Sequence, residues 1–280
     1  MSKYNLQKNL VISKIYLIGI LCLPLFSVFA QNAFSTAAGA RGIGVGNANL
    51  TYQDIHSGFN NQAGLAYLEG FSAAAYAENR FLLKELQLAA ISIAQPTNSG
   101  TWGMLLQYFG FDAYNEQKIG LNYSRKLFNN LAIGAQFDFL NTQIKAIGNT
   151  ATFTFEIGLQ YEILDELTVG IHLFNPIRAT IGTQALPAII QIGLTYKPTN
   201  YITISSSVEK DSTLPYNLRM GLEYQLLEKI QFRAGFNSNP NRLSFGLGYL
   251  INRQQLNVAA SYHEVLGFSP ALGVVFLGNK

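Results

Sequence analysis

The sequence predicts an all-β protein, a transmembrane antiparallel β-barrel of about 14 strands with an N-terminal plug segment in its lumen. Three observations point there. Residues 151–164, ATFTFEIGLQYEIL, alternate without a break: Phe153, Phe155, Ile157, Leu159, Tyr161 and Ile163 take one parity, and Thr152, Thr154, Glu156, Gly158, Gln160 and Glu162 the other. Strand side chains alternate faces, so this is one two-faced strand, and the pattern recurs along the chain. Charged residues are only 12% of the sequence, about half the share usual in soluble domains. The chain opens with an export leader, and no later run reaches the 18 apolar residues of a helical span.

The leader comes first. Lys3, Lys8 and Lys14 form a basic region, IYLIGILCLPLFSVFA (15–30) an apolar run, and Val28-Phe29-Ala30 a small-residue cleavage site before Gln31. That is a signal peptide over residues 1–30. The apolar run contains Pro24 and falls short of the roughly 20 residues a span needs. Leu21 before Cys22 is too bulky for a lipoprotein site. The whole chain carries 19 Lys+Arg against 16 Asp+Glu; the leader holds three of the lysines, so the remainder is neutral and nothing argues for nucleic acid. The single cysteine leaves with the leader, and with it disulfides and thiol chemistry. An exported barrel belongs in the outer membrane of a Gram-negative bacterium, in contact with its lipid.

Residues 31–69 form the expected plug or hatch segment and 70–280 the barrel. Alternation is clear near 118–127, 131–140, 151–163, 167–174, 188–197, 201–209, 217–226, 230–237, 243–252 and 255–263, and weaker near 71–79, 85–95, 101–109 and 270–277. Each segment has the length of a tilted strand crossing an outer membrane. Tight connections at 128–130, 165–166, 198–200, 228–229 and 252–254 alternate with longer ones at 111–116, 145–150, 175–186, 210–215, 237–241 and 265–270. Barrels of this kind keep short turns at the periplasmic rim and longer loops outside. Tyr123, Tyr161, Tyr196, Tyr224 and Tyr249 sit on the apolar parity a few residues before tight turns, as a periplasmic-rim girdle would. Phe139, Phe236 and Tyr262 are candidates for the opposite girdle.

The other parity faces the lumen. It carries Lys118, Lys126, Lys197, Arg219 and Arg233 against Asp138, Glu156, Glu162, Glu209 and Glu223. Balanced signs do not make a selectivity ring and read as cross-strand ion pairs. Inward glycines recur at 120, 134, 158, 170, 193, 221, 235, 246 and 248, which suggests a bend or the close approach of another backbone. The segment 31–69 is the candidate for that backbone. The inward face is mainly Thr, Gln, Glu, Gly and Arg, which leans against a lumen for fatty acids.

Several motifs fail on inspection. Gly42-Ile43-Gly44-Val45-Gly46 lacks nucleotide-loop spacing and reads as a flexible turn of the plug. His263-Glu264-Val265-Leu266-Gly267 has glycine where a zinc-protease helix needs a second histidine, and His56, His172 and His263 are scattered, so no metal or cofactor is expected. Ser261 and His263 share an inward parity without a convincing acid partner. The expectation is a non-enzymatic protein.

Residues 40–66, ARGIGVGNANLTYQDIHSGFNNQAGLA, resemble the N-terminal motif of the FadL-like barrels, especially the PorV/PorQ group: Arg41, Gly44, Gly46, Ala48, Asp54, Asn61, Ala63, Gly64 and Leu65 fit, while Gln62 replaces a proline. The ending YHEVLGFSPALGVVF (262–276) is similar to the family's closing H-x-x-L-G-x-S hairpin. The resemblance implies a fourteen-strand barrel with an N-terminal hatch, Arg41, Gly44, Gly46, Asp54, Asn61 and Gly64 forming the plug motif. It implies two functions. One is a PorV/PorQ-like accessory role in type IX secretion, with a translocon and secreted cargo as partners. The alternative is a FadL-like transporter for a small hydrophobic ligand or a polar solute.

Overall fold

The computed structural model describes Phe34 and residues 39–278; the expected leader lies outside the described residues. Fourteen antiparallel strands close into a barrel. In chain order they are β1 (Ser72–Asn79), β2 (Gln87–Thr97), β3 (Gly100–Phe111), β4 (Tyr114–Phe128), β5 (Leu131–Ile144), β6 (Gly148–Leu164) and β7 (Leu167–Phe174), then β10 (Ile189–Thr199), β11 (Ile202–Asp211), β12 (Asn217–Leu227), β13 (Ile230–Ser238), β14 (Asn241–Ile251), β15 (Gln254–His263) and β16 (Gly267–Leu277). Two short strands, β8 (Thr180–Ile181) and β9 (Gln184–Ala185), form a separate hairpin in the β7–β10 connection. Each barrel strand pairs with its sequence neighbour, and β1 closes the ring on β16 with Ser72 opposite Leu277 and Glu78 opposite Ala271. Closure removes the unpaired edges that an open sheet would leave in lipid.

The alternation sorts as expected. On β6, Phe153 is 54% exposed on the outside, whereas Thr154, Glu156 and Gln160 are buried inside. The outer surface carries a belt of exposed Ile, Leu, Val and Phe from every part of the ring, as a lipid-facing wall requires. Tyr161, Tyr196, Tyr224 and Tyr249 are exposed outward near tight turns. Tyr123 is half-buried because its ring lies 4.7 Å from that of Trp102, a girdle member absent from the sequence reading. At the other rim Tyr262 and Phe268 contact at 4.9 Å, and Phe139 packs on Phe153 at 5.3 Å. Trp102, the lone tryptophan and 57% exposed, is therefore a depth marker. Its fluorescence should be quenched more by lipids brominated near the headgroup than by lipids brominated near the chain ends. The reverse order would place this rim in the middle of the bilayer.

The loop asymmetry is smaller than the sequence suggests. Residues 111–116 form no long loop: β3 and β4 run to Phe111 and from Tyr114 around a two-residue turn. Strands also extend into the expected loops 145–150, 237–241 and 265–270. Polar residues there continue the ladder beyond the membrane, where water tolerates them. The β1–β2, β7–β10 and β11–β12 connections remain long.

Residues 39–69 lie against the inward faces of the strands. They form helix α1 (Gly39–Gly44) and two 3-10 turns, Ile55–Phe59 and Gln62–Tyr67. Within the glycine-rich stretch 42–46, Gly42–Gly44 end the helix and residues 45–46 lie in the turn that follows it. The inward glycines explain how a chain fits there. A Cβ on Gly235 would stand 2.0 Å from the Gly46 nitrogen, and one on Gly134 would stand 2.4 Å from the Ala63 nitrogen. Each removes a side chain where backbone meets backbone.

Candidate functional site

The candidate site is the interior where the inner segment, residues 39–69, meets the wall. Its local structure follows from the motif residues. Asp54 caps the first 3-10 turn, its carboxylate accepting from the His56 N–H at 2.8 Å. Asn61 caps the second, its Oδ1 accepting from the Ala63 N–H at 3.2 Å. Gly64 packs so tightly that a Cβ would come 2.2 Å from the Tyr52 carbonyl oxygen. Gly46 turns the chain away from α1 at φ 65°, a conformation glycine adopts at no steric cost. Gly44 seats α1 against the wall, its would-be Cβ 3.2 Å from the Gly246 Cα.

Two buried charge clusters hold the segment. In the first, the Arg41 guanidinium grips Glu223 of β12 through both carboxylate oxygens, at 2.9 and 2.6 Å, and pairs with Asp54. Glu223 also accepts from Arg233 of β13, whose Nη1 donates to Asn257 at 2.9 Å. Two cations face two anions. Burial works against the Arg41 charge, but Glu223 and then Asp54 outweigh it and raise its pKa, so it stays charged. In the second, Lys118 of β4 pairs with Glu156 of β6 and lies 3.6 Å from Asp138 of β5. Glu156 further accepts from Gln62 of the inner segment and contacts His172 Nε2, both at 2.8 Å. The residue that replaces the motif's proline is thus a hydrogen-bond donor to the wall. Glu162 accepts from Gln53 at 2.6 Å, and Arg219 pairs with Glu209 at 2.6 Å. Arg41, Asp54, Lys118, Asp138, Glu156, Glu223 and Arg233 thus come together in these two clusters, whereas Lys126 is exposed; sequence reasoning missed Gln53, the donor role of Gln62, and Thr51, whose hydroxyl meets that of Thr195 at 2.6 Å. Lys197 is exposed near the β10–β11 turn.

The inward face is not polar all round. Across β15, β16, β1, β2 and β3 it presents Ala259, Val275, Tyr76, Leu88, Leu105 and Phe109, packed on Ile43, Ile55, Phe59 and Leu65 of the inner segment. This corrects the expectation of a lumen lined mainly by Thr, Gln, Glu, Gly and Arg. Phe59 meets Tyr76 edge-on at 5.2 Å. Burial pushes the neighbouring His56 down to about 4, so at neutral pH its ring is uncharged and compatible with this sector. On the outside of the same strands lies a groove of about 670 Å³, bordered by Ala75, Ala77, Ala89, Ile91, Leu272 and Val274. The wall here sets an apolar inner cluster, flanked by buried polar residues such as Ser92 and Gln107, against the outer groove, and alanines thin it.

At the long-loop mouth the β7–β10 connection folds inward. Asn175, at φ 51°, accepts from the Ala179 N–H at 2.8 Å and donates to Leu186 O at 3.1 Å. Ile181 and Leu186 then cover Leu140, Phe174 and Phe34. Beneath them a cavity of about 20 Å³, room for about one water, lies between Lys118, Glu156, His172 and Phe59. Among the described residues, no group of His, Cys, Asp and Glu is arranged to hold a metal.

No protein-family model matches the chain, and no curated protein matches it. Solved structures do. A channel described as the CymD monoaromatic hydrocarbon channel superposes with a TM-score of 0.72 at 12% identity, covering 90% of this chain and 100% of that one. The Pseudomonas putida toluene transporter TodX gives 0.64 at 11% identity, covering 85% and 96%. A Pseudomonas aeruginosa FadL homologue gives 0.60 at 13% identity, covering 85% and 96%. The fold is that of a FadL-like barrel. At such identities the likeness concerns the fold alone.

Proposed function

We propose that the protein is a non-enzymatic outer-membrane channel for small hydrophobic molecules, with the inner segment as its gate. One observation carries the reading: the β15–β16–β1–β2–β3 sector sets an apolar inner cluster against an apolar outer groove, whereas the charge clusters that hold the segment lie on β4–β6 and β12–β13. A greasy solute that reaches the inner sector finds hydrocarbon-like surface there, and the outer groove leads on to lipid. Passage requires the inner segment to shift, since in the closed arrangement its Ile43, Ile55 and Leu65 occupy the apolar space. The channel needs no cofactor, because partition between apolar surfaces drives the transfer. Toluene, named for one structural neighbour, is the natural first probe.

Cells producing the barrel should take up labelled toluene at low concentration several-fold faster than cells without it. Equal rates would remove the transport reading. The second reading, an accessory barrel of type IX secretion, draws on the motifs at 40–66 and 262–276. Mass spectrometry of material extracted in mild detergent separates the two: recovery of a translocon or cargo supports secretion, and recovery of the barrel alone with a small apolar molecule supports transport.

A further inference from the structure

The motif that begins at His263 builds a site at the long-loop mouth that the gate does not use. His263 Nδ1 accepts from the backbone N–H groups of Val265 and Leu266, at 3.1 and 3.3 Å. The neutral ring therefore carries its proton on Nε2, which is left as a donor. Ser269 Oγ accepts from the Phe81 N–H at 2.9 Å, drawing the β1–β2 connection over the rim. Phe81 and Leu82 are held there at φ 57° and 58°, a region that bulky residues avoid and that marks constrained functional segments. The Phe81 ring stands edge-on to His263 at 6.0 Å, with the Arg242 guanidinium over its face at 5.4 Å.

Register places donors side by side. Arg219 of β12 is opposite Asn237 of β13, Asn237 opposite Arg242 of β14, and Arg242 opposite His263 of β15, all on the inward parity. Arg219 is paired with Glu209 and Arg80 with Glu78, but Arg242 has no hydrogen bond or ion pair among the described residues, and its buried Nε lacks a partner. Arg242 is therefore a planar donor fork with no carboxylate partner of its own among the described residues.

We propose that Arg242, flanked by His263 and Asn237, binds a small monoanionic oxyanion, the carboxylate of a solute entering from the long-loop side. A guanidinium fork matches a carboxylate in geometry, and the single charge of an unpartnered arginine is matched by one negative charge. The inward parity points to a solute in the mouth rather than to a lipid in the wall. The site goes beyond the transport reading and is tested apart from it.

Equilibrium dialysis of the intact protein in nanodiscs, against empty nanodiscs, measures binding of benzoate, benzyl alcohol and inorganic phosphate. In the wild type benzoate should bind best, with phosphate weaker and benzyl alcohol no better than its partition into lipid. Arg242→Gln should weaken benzoate binding about tenfold, the scale of a charge-assisted hydrogen bond, while leaving benzyl alcohol and toluene uptake unchanged. Arg242→Lys should retain part of the binding. Equal binding of benzoate and benzyl alcohol to the wild type would overturn the proposal without any variant. So would benzoate binding that Arg242→Gln leaves intact, and phosphate binding tighter than benzoate would overturn the carboxylate assignment.

Discussion

Replacing Glu223 with leucine is expected to loosen the inner segment from the wall by about 3–5 kcal/mol, the usual penalty for removing one partner of a buried ion pair. Glu223 is buried and accepts from both Arg41 and Arg233, so its loss leaves Asp54 alone to balance two guanidinium groups. Shifted by that amount, a closed-to-released equilibrium moves by roughly two to three and a half powers of ten, enough to bring the released form into view. Single-channel recordings should then show frequent high-conductance openings that are rare in the wild type. Glu223→Gln keeps the shape and one acceptor and should have a smaller effect. The paired replacement of Arg41 and Asp54 by alanine should also raise conductance, but less, because Glu223 keeps Arg233. Wild-type conductance in Glu223→Leu would remove the cluster from the gate.

Gly235→Val is expected to displace the inner segment while sparing the wall. The new Cβ would sit 2.0 Å from the Gly46 nitrogen and 2.3 Å from the Val45 carbonyl carbon, backbone atoms that cannot rotate aside. Valine suits a strand, and Gly235 keeps ordinary partners in Gly221 and Ser244. The two parts of the molecule should therefore respond separately. The barrel should keep its heat-modifiable migration on gels, while residues near 45–47 become accessible to protease and conductance rises. A variant with a protected segment and wild-type conductance would show that the wall can yield at this point, contrary to the packing described.

How much of this was legible in the sequence depends on what lay on each side of a strand. Where lipid met one face and a polar anchor the other, as on β6, alternation announced both the strand and its orientation. Where both faces were apolar, it faded: SAAAYAEN of β1 and QLAAISIAQPT of β2 put Ala74, Tyr76, Leu88 and Ala90 inside against Ala75, Ala77 and Ile91 outside. These are the segments that read as weak strands. Their weakness was the signal of an apolar inner sector, and it was mistaken for a poorer strand. Inward glycines were informative because such a run implies a bend or close approach; Gly235 and Gly134 meet backbone, while Gly120 and Gly248 make room for the Gln136 and Arg233 side chains. Charged residues could be placed by parity, but their partners lie up to 182 positions away, as in Arg41 and Glu223, and only barrel closure brings them together. Gln62 was legible only as a departure from a motif. Its purpose depends on Glu156, 94 residues later.

The central claim, that the inner segment gates passage of small hydrophobic molecules, is tested most directly by locking it. Thr51 and Thr195 meet through their hydroxyls at 2.6 Å, one on the segment and one on β10, and both are buried. Cysteines at both positions should form a disulfide that tethers the segment without new bulk. Labelled toluene uptake by cells carrying the oxidised double variant is expected to fall to the level of cells lacking the barrel, and to recover on reduction. Uptake at the wild-type rate with the tether closed would contradict the account, since the solute would then be crossing a wall whose gate had not moved.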